Sequence, residues 1–314
     1  MQVYRSQRKI GGWEGSDMAV VWREKQLAAE GRGRELASLF ELPSRRRRAV
    51  SVCIGAALLL VILALAAASW LPIIPHSPNA MDIRARLAAP SKAHWLGTDH
   101  FGRDVLARVA YGSRIALQVG LASTFMAAVV GVVLGGWAGY QGGWWDEAIM
   151  RLVDGLMAFP GLLFAIMLVT VLGSGMINTI LAIGFANLPL FARITRGAFL
   201  SSRTALYVEA AQAAGARPRH IVWRHILPNS LGPVVVQATV TCATAILTEA
   251  SLSYLGLGIQ PPYPSWGRML KEAQPYMGRA LWLVLAPGLA VFLTVIALNL
   301  LGDGLRDWLD PNSR

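Results

Sequence analysis

Apolar residues in this chain gather into long runs almost free of charge, and the runs are long enough to act as membrane spans. A helix of about 20 apolar residues crosses the hydrocarbon core of a bilayer. VSVCIGAALLLVILALAAASWLP (50–72) supplies one span, and the charge-free run 115–145 supplies a second over 116–138. The run from Gly155 to Ala192 is 38 residues long, too long for one span. Gly173-Ser174-Gly175 divides it, which predicts two helices joined by a tight turn. A fifth span is predicted over 231–256 and a sixth over 281–302. The pattern therefore predicts an all-α polytopic membrane protein with six transmembrane helices. Ala66-Ala67-Ala68 resembles a leader cleavage site, but 48 residues precede the first span and its apolar core is too long for a leader. A retained anchor is expected.

Composition agrees. The chain is 54% apolar and only 15% charged, where a soluble protein carries about 25% charged residues. Cys53 and Cys242 both lie in apolar runs, so neither a disulfide framework nor a cysteine metal site is expected. A net charge of +11 would suit nucleic acid, but the segment 1–48 alone holds 11 Lys/Arg against 6 acids and ends in Arg45-Arg46-Arg47-Arg48, directly before the first span. That placement is what the positive-inside rule predicts for a cytoplasmic flank, so the bilayer and not nucleic acid is the expected partner.

With this end inside, six spans put both termini in the cytoplasm. The chain then divides into a cytoplasmic tail (1–48), a first transmembrane helix (49–72), an external segment (73–114), a five-helix core (115–304) containing a cytoplasmic loop at 193–230, and a cytoplasmic tail (305–314). Basic residues do not separate cleanly, because 73–114 carries six and so does 193–230.

The stretch EAAQAAGARPRHIVWRHILPN (209–229) is the most polar part of the core. Residues 203–214 are rich in helix formers, Gly215 sits where a left-handed residue ends a helix, and Pro218 fits the first turn of a second helix. Leu227-Pro228 is expected to stop that second helix. Ile221, Val222, His225 and Ile226 share one helical face. So short a helix is marginal in water unless it packs on something. Two readings stand open: an element that docks into a groove on a cytoplasmic partner, and a solvated connector between spans.

Glu209-Ala210-Ala211, Gly215, Ile221, His225 and Leu227-Pro228 resemble the EAA signature of ABC-importer permease subunits. HWLGTDHFGRDVLARVAYGSRIAL (94–117), AGYQGGWWDEAIMRLVDGLMAFPGLLFAI (138–166), LTEASLSYLGLGIQPPYPSWGRML (247–270) and NLLGDGLRDWLDP (299–311) resemble the dipeptide/oligopeptide/nickel permeases, specifically the second of their two permease subunits. These segments run in family order from residue 94 onward, while 1–45 match nothing usable. The resemblance implies a type I ABC importer permease fold. It implies a multi-pass protein of the bacterial inner membrane, paired with a homologous second permease subunit, two ATPase subunits and an extracytoplasmic substrate-binding protein. ATP and Mg would be bound by the ATPase subunits, with no cofactor in this chain. The loop would be the coupling helix seated in the ATPase cleft, carried by Glu209, Ala210, Ala211, Gly215, Ile221, Arg224, His225, Leu227 and Pro228. Peptides are the expected substrates, with nickel or glutathione as alternatives within the family.

Three further features carry chemistry. Asp99–Arg103 and Asp104–Arg108 are each four apart, which predicts an external helix laced by i,i+4 pairs. Arg151 lies four residues after Glu147 and three before Asp154, suggesting an ion-paired helix start with Trp144 and Trp145 in the aromatic belt. Glu249 falls near the outer end of the fifth span, where an acid either lines the mouth of a pathway or ties helices together. Pro160 and Pro189 mark bends beside a pathway or packing kinks. A metal reading of His94, Asp99 and His100 is weak, and no metal is expected.

Catalysis is not expected. The four lysines, Lys9, Lys25, Lys92 and Lys271, none after a glycine, exclude a Gly-Lys-Ser/Thr phosphate loop. All five histidines fall outside the predicted spans, so Ser174 has no base for an intramembrane protease. An ion-coupled transporter would show internal repeats and mid-membrane ionisable groups, and Glu249 lies near an end.

Overall fold

A computed structural model of the chain describes residues 44–71, 74 and 76–309. Most of the predicted N-terminal tail, 1–43, and the end of the C-terminal tail, 310–314, lie outside the described residues. The chain divides into two compact units, 1–49 and 50–314, and the helical bundle belongs to the second. Among the described residues, five helices are long and apolar enough to cross a membrane, or six if one sharply bent pair counts as a single span.

Helix α1 (Ser44–Ala68) ends short of the predicted 72. Helix α2 (Val105–Gln141) is 37 residues long and begins at Asp104, whose carboxylate accepts the Ala107 N–H at 2.8 Å. The expected ion-paired helix over 99–108 is therefore corrected. Residues 98–104 form a turn with a bridge between Thr98 and Asp104, and Asp104 serves as an N-cap, a use of its side chain that competes with pairing to Arg108.

The predicted third span is present as a sharply bent pair of helices, with the bend at Pro160. Helices α3 (Gly143–Met157) and α4 (Gly161–Leu172) meet at 89°. Pro160 supplies no N–H and pushes Phe159 out of the helical region, so the break falls at 158–160. At ~1.5 Å per residue, the 12 residues of α4 cover only ~18 Å. Helix α5 (Met176–Arg203) follows the Gly173–Gly175 turn as predicted and runs unbroken through Pro189.

Helices α6 (Leu206–Ala213) and α7 (Pro218–Ile221) then flank Gly215. A π-turn, Val222–Ile226, leads directly into α8 (Leu227–Leu255). Leu227-Pro228 thus does not stop the second helix. The wide turn moves the Leu227 N–H to the Val222 carbonyl, and such widening accommodates a proline ring that would otherwise strike the backbone of the preceding turn. Helical structure consequently continues from Pro218 to Leu255. Helix α9 (Trp266–Ala273) starts at Ser265, whose hydroxyl accepts the Arg268 N–H, and α10 (Trp282–Leu309) closes the bundle.

Helices α2 and α5 make the most extensive contact. Gly131, Gly135 and Gly139 form a stripe on α2 against the α5 backbone, and a Cβ on Gly135 would lie 2.1 Å from the Ala192 carbonyl oxygen. Small residues at this spacing let membrane helices approach to van der Waals contact, which drives association where the hydrophobic effect is absent. Helix α8 packs on α2, α5 and α10. Buried Trp266 pins α9 to α2 by donating its indole N–H to the Val109 carbonyl at 3.0 Å.

The candidate coupling loop and the ion cluster at the far end of the bundle

Two polar regions stand out, at opposite ends of α8. With 29 residues at ~1.5 Å each, that helix separates them by about 43 Å.

At the N-terminal end of α8 lies the predicted loop. Helix α6 closes with Gly215 at φ +76°. The Gly215 N–H donates to the Gln212 carbonyl at 2.9 Å and the Ala216 N–H to the Ala211 carbonyl at 3.0 Å. This pair of bonds satisfies carbonyls that a helix end leaves open. It also sets the turn from α6 into α7, where Pro218 occupies the first turn as predicted.

Ile221 and Ile226 are buried together with Phe199 of α5 and Val208 of α6. The apolar stripe predicted to meet a partner is thus consumed inside this chain. A helix this short gains stability only from such packing, so Ile221 holds the loop and does not face outward. What remains exposed is a different set: Glu209, Ala210, Gly215, Arg224 and Pro228, with Arg217 and Arg219. Ala211, His225 and Leu227 are half-buried. The His225 ring lies 5.8 Å from that of His220 and 6.5 Å from that of Tyr207. Sequence reasoning passed over two exposed apolar residues here, Leu206 at 82% and Trp223 at 70% exposure. A large apolar side chain on an otherwise charged surface was the available signal.

Helix α3 straps onto α5 beside this end. Asp146 accepts both Nε and Nη2 of Arg196, at 2.5 and 2.6 Å. Asp154 pairs with Arg193 at 2.6 Å, while Arg151 pairs with Glu147. The predicted Arg151–Asp154 contact is replaced because Arg193 reaches the carboxylate from the neighbouring helix. Trp144 and Trp145 are exposed, as an aromatic belt would have them.

At the C-terminal end of α8, five charged groups interlock. Arg103 donates through Nε to Asp99 at 2.6 Å and through Nη2 to Glu272 at 2.9 Å. Arg108 approaches Asp99 at 3.7 Å and Glu272 at 3.3 Å. Arg268 donates to the other Glu272 oxygen at 2.9 Å. Arg108 is 3% exposed at its side chain, Asp99 8% and Arg103 10%. The bonds from Arg103 and Arg108 to Glu272 join residues 169 and 164 positions apart, so the i,i+4 reading found Asp99–Arg103 but missed Glu272 and Arg268. His100 sits beside them with its ring stacked 5.4 Å from Tyr276, and burial pushes its pKa below the usual 6.5. A cavity of about 480 Å³ opens here between His100, Gln260, Arg268, Lys271 and Tyr276.

Glu249 is 1% exposed. The Ser253 hydroxyl donates to it at 2.7 Å, and the same hydroxyl accepts the Ile259 N–H at 3.2 Å. In this conformation its carboxylate is buried and bonded within α8, to a serine one turn further along the same helix.

A bundle of long apolar helices, glued by a glycine stripe and carrying a braced polar loop, defines a polytopic membrane protein. The family described as binding-protein-dependent transport system inner membrane component matches residues 131–314. A glutathione transport system permease protein from Pectobacterium atrosepticum is 46% identical, over 84% of this chain and 88% of the relative. A dipeptide transport system permease protein from Alkalihalophilus pseudofirmus is also 46% identical, over 73% and 75%. Among solved structures, the MetNI methionine ABC transporter in inward-facing conformations matches with a TM-score of 0.54 at 21% identity, covering 65% of this chain and 96% of that one. The chain belongs to the binding-protein-dependent transport inner membrane components, as an ABC importer permease of the dipeptide/oligopeptide family with the type I permease fold.

Proposed function

We propose that this chain forms half of the translocation pathway of an ATP-driven importer of short peptides in a bacterial inner membrane. A homologous second permease subunit supplies the other half. Two ATPase subunits bind ATP and Mg and dock on the loop around Gly215, while a substrate-binding protein delivers peptide to the end that holds the ion cluster. This chain itself carries no catalytic group for the cycle. ATP drives the change by favouring one of two states of the assembly, and the loop transmits it.

The observation that carries this reading is the bracing of the loop. Phe199, Val208, Ile221 and Ile226 fasten it to α5 and α8, so a push on the loop moves the spans as well. Meanwhile Glu209, Arg217, Arg219 and Arg224 remain exposed and enter no ion pair among the described residues. Exposed, unpaired charge on a braced element suits a partner surface better than a solvated connector.

Similarity to glutathione permeases favours a second substrate reading, the tripeptide glutathione. Native mass spectrometry of the gently purified assembly identifies the companions, and ATP-dependent uptake of labelled dipeptide against labelled glutathione in proteoliposomes ranks the substrates. A chain that copurifies with no ATPase, or uptake indifferent to ATP, would overturn the proposal.

A further inference from the structure

We propose that His76, His94 and Asp104 form a zinc site that fastens the segment after α1 to the start of α2. Asp104 Oδ2 lies 2.9 Å from His94 Nδ1 and 3.8 Å from His76 Nδ1, and all three ligand atoms fall within 4.8 Å of one another. The two imidazole rings are 4.6 Å apart, and both turn Nδ1 toward the same carboxylate oxygen. Zinc takes His nitrogen at ~2.0–2.1 Å and carboxylate oxygen at ~2.0–2.2 Å, so two ligands at tetrahedral angles sit about 3.3 Å apart. The observed separations straddle that value, and small side-chain shifts bring them to it. Two imidazoles and one carboxylate leave a fourth position for water. Calcium and magnesium prefer all-oxygen sites, and this donor set disfavours them.

The site is built before any ion arrives. Asp104 is 4% exposed, and its Oδ1 is held by the Ala107 N–H at 2.8 Å, which leaves Oδ2 for the metal. His94 is positioned by two bonds with Ser91: its own N–H donates to the Ser91 hydroxyl at 3.2 Å, and its carbonyl accepts the Ser91 N–H at 2.8 Å. Electrostatics select this trio over the other candidate, Asp99, His100 and Glu272. There, three guanidinium groups already occupy the carboxylates. A dication would have to displace them. Asp104, by contrast, has only the two histidines as ion-pair partners among the described residues.

Without metal, the imidazoles hydrogen-bond or approach the carboxylate. With metal, both bind as neutral ligands, and three separate stretches of chain are cross-linked. The proposal does not depend on which substrate the importer carries.

The test uses the full chain in detergent with a histidine-free affinity tag. Protein stripped with EDTA is incubated with Zn²⁺ and desalted, and bound zinc is measured by elemental mass spectrometry. Wild type should retain a single zinc per chain. Asp104→Asn keeps an oxygen for the α2 cap but loses the charged ligand, and should weaken retention at least ~10-fold. The His76→Ala/His94→Ala double variant should lose it too, while His100→Ala and His220→Ala should bind as wild type. Circular dichroism confirms that each variant is folded. Zinc absent from folded wild type, or lost in His100→Ala or His220→Ala and kept in Asp104→Asn, would overturn the site.

Discussion

The loop around Gly215 and the cluster around Glu272 are both rich in arginine, yet they treat charge in opposite ways. At the loop, Val208, Ile221 and Ile226 are buried, while the guanidiniums of Arg217, Arg219 and Arg224 face solvent without an ion pair among the described residues. At the cluster, the guanidiniums of Arg103 and Arg108 are buried and every carboxylate oxygen that they approach is shared. A buried charge is tolerable only when paired and hydrogen-bonded, and removing one member leaves the others stranded. An exposed charge contributes little to its own fold but stays free to meet a partner. The cluster therefore holds α2 to α9, and the charges of the loop stay free for the proposed docking.

The most severe challenge to this contrast is Glu272→Ala. It removes the carboxylate shared by three arginines and should cost about 3–5 kcal/mol, seen as a large fall in the thermal midpoint of the detergent-solubilised chain. A change no greater than that of an exposed loop arginine would mean the cluster is not structural.

Next in size is Ile226→Ala, which empties a fully buried position in the loop's own anchor and should cost ~2–4 kcal/mol. Limited proteolysis between residues 203 and 230 should become faster, because the loop loses its tie to α5. Equal protection in variant and wild type would show that the loop is held by something else.

Gly215→Val puts a β-branched side chain at φ +76°, a strain of roughly 1–2 kcal/mol. No atom lies within 4 Å of the added Cβ, so the spans should insert normally. ATPase activity should nevertheless uncouple from uptake in the reconstituted importer. Wild-type uptake would remove Gly215 from the proposed coupling element.

The smallest effect concerns pH. Burial lowers the His100 pKa below 6.5, so the folded chain binds this proton less readily than the unfolded chain does. Stability at the cluster is then full above pH 6.5 and declines as pH falls through the lowered folded value. His100→Gln should flatten the dependence of thermal midpoint on pH between about 5 and 7, set by the ordinary His range. An unchanged slope would mean that the histidine is not the titrating group.

Several elements were legible from the residues alone. Five apolar spans, the glycine turn at 173–175, the left-handed Gly215 and the Pro218 start all follow from length, backbone freedom and near-neighbour hydrogen bonding. The bend expected at Pro160 is present as an 89° break, since proline and its predecessor both resist helix there, whereas the one expected at Pro189 leaves α5 unbroken. Leu227-Pro228 misled for the same reason: whether a proline stops a helix depends on whether the preceding turn can widen, and here the π-turn does so. The candidate docking residues do lie together at one end of α8, but burial of Ile221 reversed which face of that segment is free.

Residue order is enough to say how many times apolar helix recurs, where the chain turns and which loop is polar. These depend on interactions spanning a few residues. Packing of the whole chain was needed to show that Glu272 closes the cluster with Arg103 and Arg108, that His76 and His94 converge on Asp104, and that the loop's apolar face turns inward to Phe199. Each pairing brings together groups distant in the chain, and its energy exists only once the helices between them have packed.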